Sequence, residues 1–191
     1  MDDEALLERA RRGDRDAFAA IVRRNQDDLY TMALRMLGTP HDAADVVQET
    51  FLRAYTRLPE LRGNTVRAWL FRVAVNCARD VQRRSSRRPT TPLADAAGNV
   101  IELPDPALGP EASALARERV ATVREALLTL PLDFRLAVVL RDVNELTYEE
   151  MSEALRIPVG TVKSRLSRAR HMLVAALERA GATAHTADGG A

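Results

Sequence analysis

The sequence predicts an all-α protein built as two small helical bundles joined by a flexible linker. Three observations carry that expectation. Apolar residues recur at three-and-four spacing along most of the chain, the period of helices with one buried face, and no period-two run of useful length interrupts them. Five of the nine prolines fall between Pro89 and Pro110, inside a stretch (89–114) with four acidic residues and no basic one, a composition that breaks helices and links domains. The 191 residues, 46% of them apolar, suffice for small cores but not for a single large one. The expected division is residues 1–88, a linker over 89–114, a second bundle over 115–180, and a small, polar, disordered tail over 181–191.

Each helix has its own signals. Asp14 reads as an N-cap, and Phe18, Ile21, Val22, Leu29, Met32, Ala33, Met36 and Leu37 follow on one face. Thr39-Pro40-His41-Asp42 supplies a cap, a proline at the first helical position and an early acid; the expected inner face of that helix is Ala44, Val47, Phe51 and Ala54. Leu58-Pro59 ends it. A third helix from about Val66 carries Val66, Trp69, Leu70, Val73 and Cys77 on one stripe. In the second bundle Val120, Val123, Leu127 and Leu130 mark one helix, stopped at Pro131, and Phe134, Ala137, Val138 and Arg141 mark the next. Thr147-Tyr148-Glu149-Glu150 has capping-box spacing. After the break at Ile157-Pro158-Val159-Gly160, the last helix buries Val162, Leu166, Ala169, Leu173 and Ala176, completing a helix-turn-helix pattern.

Composition excludes several function classes. The longest aliphatic runs, Leu136 to Leu140 and Leu173 to Leu177, fall far short of the ~20 residues of a membrane span, so no membrane insertion is expected. The Met-Asp-Asp-Glu start is not followed by the basic flank and apolar stretch of a secretory signal, and a cytoplasmic location is expected. One Cys and three scattered His offer no metal-ligand spacing. No nucleophile triad, paired carboxylate or phosphate loop is visible, so no enzyme, cofactor or metal is expected. Cys77 lies on an apolar stripe, where a small buried hydrophobe is a better account than a redox group.

The charge is sorted along the chain. Asp142 to Glu153 holds five carboxylates and no base, whereas Arg156 to Arg179 holds six bases and one acid. On the last helix the outward positions are Thr161, Lys163, Ser164, Arg165, Ser167, Arg168 and Arg170, all basic or hydroxylic, a face suited to the major groove. On the third helix Arg72, Asn76, Arg79 and Arg83 stand opposite the Trp69 stripe and can neutralise phosphates. In front of it, Leu61-Arg62-Gly63-Asn64 is a short loop able to hold an unstacked base. On the second helix Asp45, Gln48, Glu49 and Leu52 form a mixed stripe; spacing alone makes it ordinary solvent-facing surface about as often as two times in three, and a dock for a basic helix otherwise.

In combination these segments resemble the extracytoplasmic-function (ECF, group four) sigma factors of bacterial RNA polymerase, in the sigma-70 family. Asp42 to Phe51, DAADVVQETF, looks like the core-binding helix; Leu61 to Asp80, LRGNTVRAWLFRVAVNCARD, like the minus-10 and melting region; Leu146 to Leu173, with GTVKSRLSRAR its most specific piece, like the minus-35 reader. The resemblance implies a transcription initiation factor, with residues 1–88 as sigma domain 2 and residues 115–180 as sigma domain 4. It implies that Asp45, Gln48 and Glu49 hold the clamp helices of the polymerase's largest subunit. It further implies that Leu61, Arg62, Gly63 and Asn64 capture a flipped minus-10 base while Arg72, Asn76, Arg79 and Arg83 grip the adjoining strand. Thr161, Lys163, Ser164, Arg165, Arg168 and Arg170 would read the minus-35 element, with Tyr148 and Glu149 near its backbone. The acidic linker would thread the RNA exit channel. Stress response and an anti-sigma partner are also implied, and no homo-oligomer is required. The sequence departs from the family pattern at Leu61, where Phe is frequent, Ser152, where Ala is, and Arg156, where Gly ends the helix. Because promoter elements ~20 base pairs apart are ~70 Å apart, the free protein is expected to be more compact than the promoter-bound form. Two rival readings are a helix-turn-helix regulator that works without polymerase and a sigma mimic that sequesters an anti-sigma factor.

Overall fold

The computed structural model describes residues 3–58, 65–85 and 114–188, and these contain helices and no strands. The order is α1 (Asp3–Arg11), α2 (Arg15–Leu37), α3 (Pro40–Arg57), α4 (Val66–Ser85), α5 (Ala114–Thr129), α6 (Leu132–Val138) running into a π turn (Val139–Val143), α7 (Tyr148–Leu155) and α8 (Val159–Asp188).

Local chemistry sets most boundaries. Asp14 caps α2 by accepting from the Asp16 and Ala17 N–H groups at 3.0 and 3.1 Å. Those bonds, the one from Ala17 foremost, and the Arg9 guanidinium hold its carboxyl below the usual range. At the other end Gly38 takes φ 80°, and its N–H closes on Leu34 O at 2.8 Å. A Cβ there would also meet Leu128 Cδ1 of α5 at 2.8 Å. Thr39 caps α3 and Pro40 occupies its first turn. Thr147 and Glu150 form the capping box of α7, at 3.1 Å to the Glu150 N–H and 2.8 Å from the Thr147 N–H.

Four sequence expectations shift. α1 was not marked in the sequence, yet Leu6, Leu7 and Ala10 are buried against the first bundle. The inner face of α3 is Ala43, Val46, Thr50 and Ala54, one position back from the expected stripe; Ala44 is exposed and Val47 and Phe51 are half-buried. The polar Thr50 is tolerated inside because its hydroxyl donates to Val46 O at 2.6 Å. Val123, expected inside, is exposed. α8 continues to Asp188, beyond the expected domain end at 180 and into the stretch expected to be a disordered tail; the alanines flanking Gly181 offset its helix penalty of about 1 kcal/mol. The Leu61 to Asn64 loop and residues 89–113 of the linker lie outside the described residues.

The bundles share an interface. α7 packs on α4, and α2 packs on α5, α6 and the π turn. On α4 this buries a second apolar stripe, Ala68, Phe71 and Val75, on the side away from Trp69, Val73 and Cys77. Three polar connections cross the join. Arg135, 6% exposed, donates to Met36 O at the end of α2, to Leu128 O at 2.7 Å and to Leu130 O at 3.0 Å. Asn144 donates to Asp28 O at 2.9 Å. Arg67 reaches Asp28 Oδ2 at 3.0 Å and Asn144 O at 2.6 Å, with its guanidinium over the Phe71 ring.

Candidate polymerase and nucleic-acid interfaces

The outer face of α3 borders a groove of about 630 Å³ between α3 and α4. Asp45, Gln48, Glu49 and Leu52 form one wall, and Asp80, Val81, Arg83 and Arg84 the other. Leu52 is 57% exposed, unusual for a leucine on a helix that already buries its other face. The charges in the groove are interlocked: Glu49 accepts from Arg53 at 2.6 Å, and Asp80 lies 3.6 Å from Arg53 and 3.1 Å from Arg83. Cys77 lies at the buried base, where desolvation pushes its thiol pKa up despite the nearby Thr50 hydroxyl and Arg53. A thiol so placed stays protonated, which fits the packing role.

On α4 the four polar residues fall on one side, but not in one state. Asn76 and Arg83 face solvent, while Arg72 and Arg79 are half-buried beneath the second bundle. Arg79 donates to Asp133 Oδ1 of α6 at 3.0 Å. Arg72 lies close enough to Glu153 of α7 to affect its charge: burial raises the Glu153 pKa and Arg72 opposes the rise.

The start of α8 is presented differently. α7, fixed by its capping box, ends at Arg156 in the left-handed conformation (φ 56°, ψ 47°), and Ser152 donates to Ile157 O at 2.6 Å to close the turn. This is the position where the sequence lacks glycine, and the arginine bears the strain. The turn sets Val162, Leu166 and Ala169 into the core and leaves Thr161, Lys163, Ser164, Ser167 and Arg168 exposed. The Tyr148 ring lies between two cations, Arg141 at 5.1 Å and Lys163 at 5.3 Å, which orients the lysine. Glu149 is exposed beside it. Arg165 lies 3.7 Å from Asp133, and Arg170 is held by both oxygens of Asp142, which raises its pKa. A positively charged helix face aimed outward after a short capped helix can enter a major groove.

The chain matches Sigma-70 region 2 over residues 21–88 and Sigma-70, region 4 over residues 121–173. It is 37% identical over 183 residues to the RNA polymerase sigma-H factor of Pseudomonas aeruginosa, covering 92% of this chain and 94% of that one. The protein belongs to the sigma-70 family. Within it, the chain is also 36% identical to the ECF RNA polymerase sigma factor SigW of Bacillus subtilis, over 87% of this chain and 92% of that one. Among solved structures it is similar to CnrH in complex with the cytosolic domain of CnrY, with a TM-score of 0.71 and 28% identity over 93% of this chain and 97% of that one. It is similar as well to the sigma factor RpoE in complex with the anti-sigma factor NepR from Bartonella quintana, with a TM-score of 0.60 and 26% identity over 78% of this chain and 89% of that one.

Against the sigma-factor pattern, the residues that sequence reasoning missed are those at the join: Asp28, Arg67, Asp133, Arg135 and Asn144. Arg135 and Asn144 bond to groups about a hundred residues away, so no local spacing could have revealed them. Their only sequence trace is a lone charge or amide on an otherwise apolar segment, Leu132 to Val143.

Proposed function

We propose that this sigma-70 family protein is a transcription initiation factor that carries core RNA polymerase to promoters by reading a minus-35 and a minus-10 element and aiding strand separation. The observation that carries the reading is the front of α8, where Thr161, Lys163, Ser164 and Arg168 stand exposed with no carboxylate among them. Hydroxyl, ammonium and guanidinium groups on one helical face can bond guanine O6 and N7 and the flanking phosphates. Arg165 and Arg170 join them once their carboxylate partners are exchanged for phosphates, and Tyr148 and Glu149 face the backbone.

In domain 2, Asp45, Gln48 and Glu49 dock the clamp helices of the largest polymerase subunit, with Leu52 adding apolar contact. Arg72, Asn76, Arg79 and Arg83 track the non-template strand, and Leu61, Arg62, Gly63 and Asn64 hold its flipped base. The energy of the lost base pairs is partly recovered in that pocket and along the basic surface. A cytosolic anti-sigma factor is a further proposed partner, supported by the similar structures being complexes of sigma factors. The protein works in the cytoplasm; among the described residues no helix is long and apolar enough to cross a membrane.

Transcription in vitro with core polymerase is the test. Start-site-specific RNA that appears only on addition of the protein is the expected result. DNA binding without recruitment of core would favour a conventional regulator, and absence of both core and promoter binding a sequestering mimic.

A further inference from the structure

Asp133 occupies an unusual position in the first turn of α6. Its Oδ1 accepts from Arg79 of α4 at 3.0 Å, and its Oδ2 lies 3.7 Å from Arg165 of α8. One carboxylate therefore faces two guanidiniums, one on each helix that carries a DNA face. Arg79 is the member that reaches across the join between the bundles, and both arginine side chains are largely covered, 27% and 20% exposed. Nothing in the packing of α6 requires an acid there: the neighbouring buried residues Leu136, Ala137 and Val138 supply its core contacts, and Asp133 itself is half exposed.

We propose that Asp133 is an electrostatic latch that keeps the two bundles closed in the free protein by standing in for DNA phosphate on Arg79 and Arg165. The latch rests on the reading of those two arginines as DNA contacts. Closure buries the Ala68, Phe71 and Val75 side of α4 and turns Arg72 and Arg79 into the join, so a nucleic-acid strand cannot lie along α4 while α7 is on it. Exposed ion pairs are individually weak and are screened by salt. Asp133 therefore biases the closed state, whose other supports are the Arg135, Asn144 and Arg67 bonds. Such a bias is reversible: a phosphate offers Arg79 the same charge-assisted bond, so the strand that needs the open form also compensates for the contact that opening removes.

The test compares the full chain with Asp133→Asn, and with Glu118→Gln as a control that removes one exposed negative charge on α5. Small-angle scattering reads closure, and binding of a mixed-sequence single-stranded DNA oligonucleotide without polymerase reads the arginines. Asp133→Asn is expected to enlarge the radius of gyration at low salt and to tighten DNA binding roughly threefold, with Glu118→Gln unchanged in radius. Raising the salt should bring the parent chain toward the radius of the variant. An unchanged radius for Asp133→Asn overturns the latch, whatever the DNA does. A larger radius with unaltered DNA affinity upholds the latch and rejects the assignment of Arg79 and Arg165 to DNA.

Discussion

The two basic faces of this molecule are in opposite states. The front of α8 is open, with Lys163, Ser164 and Arg168 exposed beyond a rigid, capped α7. The corresponding side of α4 is half covered, with Arg72 and Arg79 turned into the join and Arg79 bonded to Asp133. A duplex can meet the first face with little rearrangement, whereas a strand can meet the second only after the bundles part. The difference gives an order to promoter capture: upstream docking does not require opening, and melting does. It also separates two kinds of stability, since contacts that hold each bundle together need not be those that hold the closed form.

The comparison can be broken most severely at Arg135. Arg135→Met should lower unfolding stability by about 3 kcal/mol, because the three carbonyls it serves lose a charged donor while remaining buried; a denaturant midpoint near that of the parent would show that the join contributes little. On the open face, Lys163→Ala should cost about 1–3 kcal/mol of discrimination at one upstream position, read as competition between wild-type and altered minus-35 duplexes, with stability unchanged. Arg156→Gly should relieve the left-handed strain at the end of α7 and stabilise by about 1 kcal/mol, seen as a higher melting temperature. The smallest effect concerns pH. Burial holds the Glu153 carboxyl above its ordinary pKa, with Arg72 of α4 opposing and Glu150 assisting. A carboxyl raised on closing takes up a proton as the bundles meet, so closure should strengthen as pH falls through the raised value and weaken above it. Scattering at about pH 5 and about pH 8 should show a slightly smaller particle at the lower pH, and Glu153→Gln should abolish the difference.

How much of this was legible follows the range of each interaction. Caps at Asp14, Thr39 and Thr147 were readable because donor and acceptor lie within three residues. The α8 stripe was readable because one side packs and the other meets solvent. The α3 stripe was misplaced by one position because Thr50 hides its polarity in a bond to its own helix, so the buried set includes a residue that hydropathy assigns outside. On α4 the spacing showed one apolar stripe and a basic one, but the burial of Ala68, Phe71 and Val75 depends on the second bundle. The candidate site was legible to the same degree: residue types and their order could be read locally, whereas the pairing of Arg79 with Asp133 joins positions 54 apart in sequence.

The π turn between α6 and α7 bears on how tolerant that join is to change in chain length. Asn144 N–H bonds to Val139 O, five residues back, one more than a regular helical turn uses. Deleting a single residue between Val139 and Val143 would let an ordinary helix run through, swinging whatever follows by about 100°. Asn144 would then point away from Asp28, and both halves could remain intact while losing their fit to each other. Register at that one turn thus acts as the alignment pin of the whole assembly.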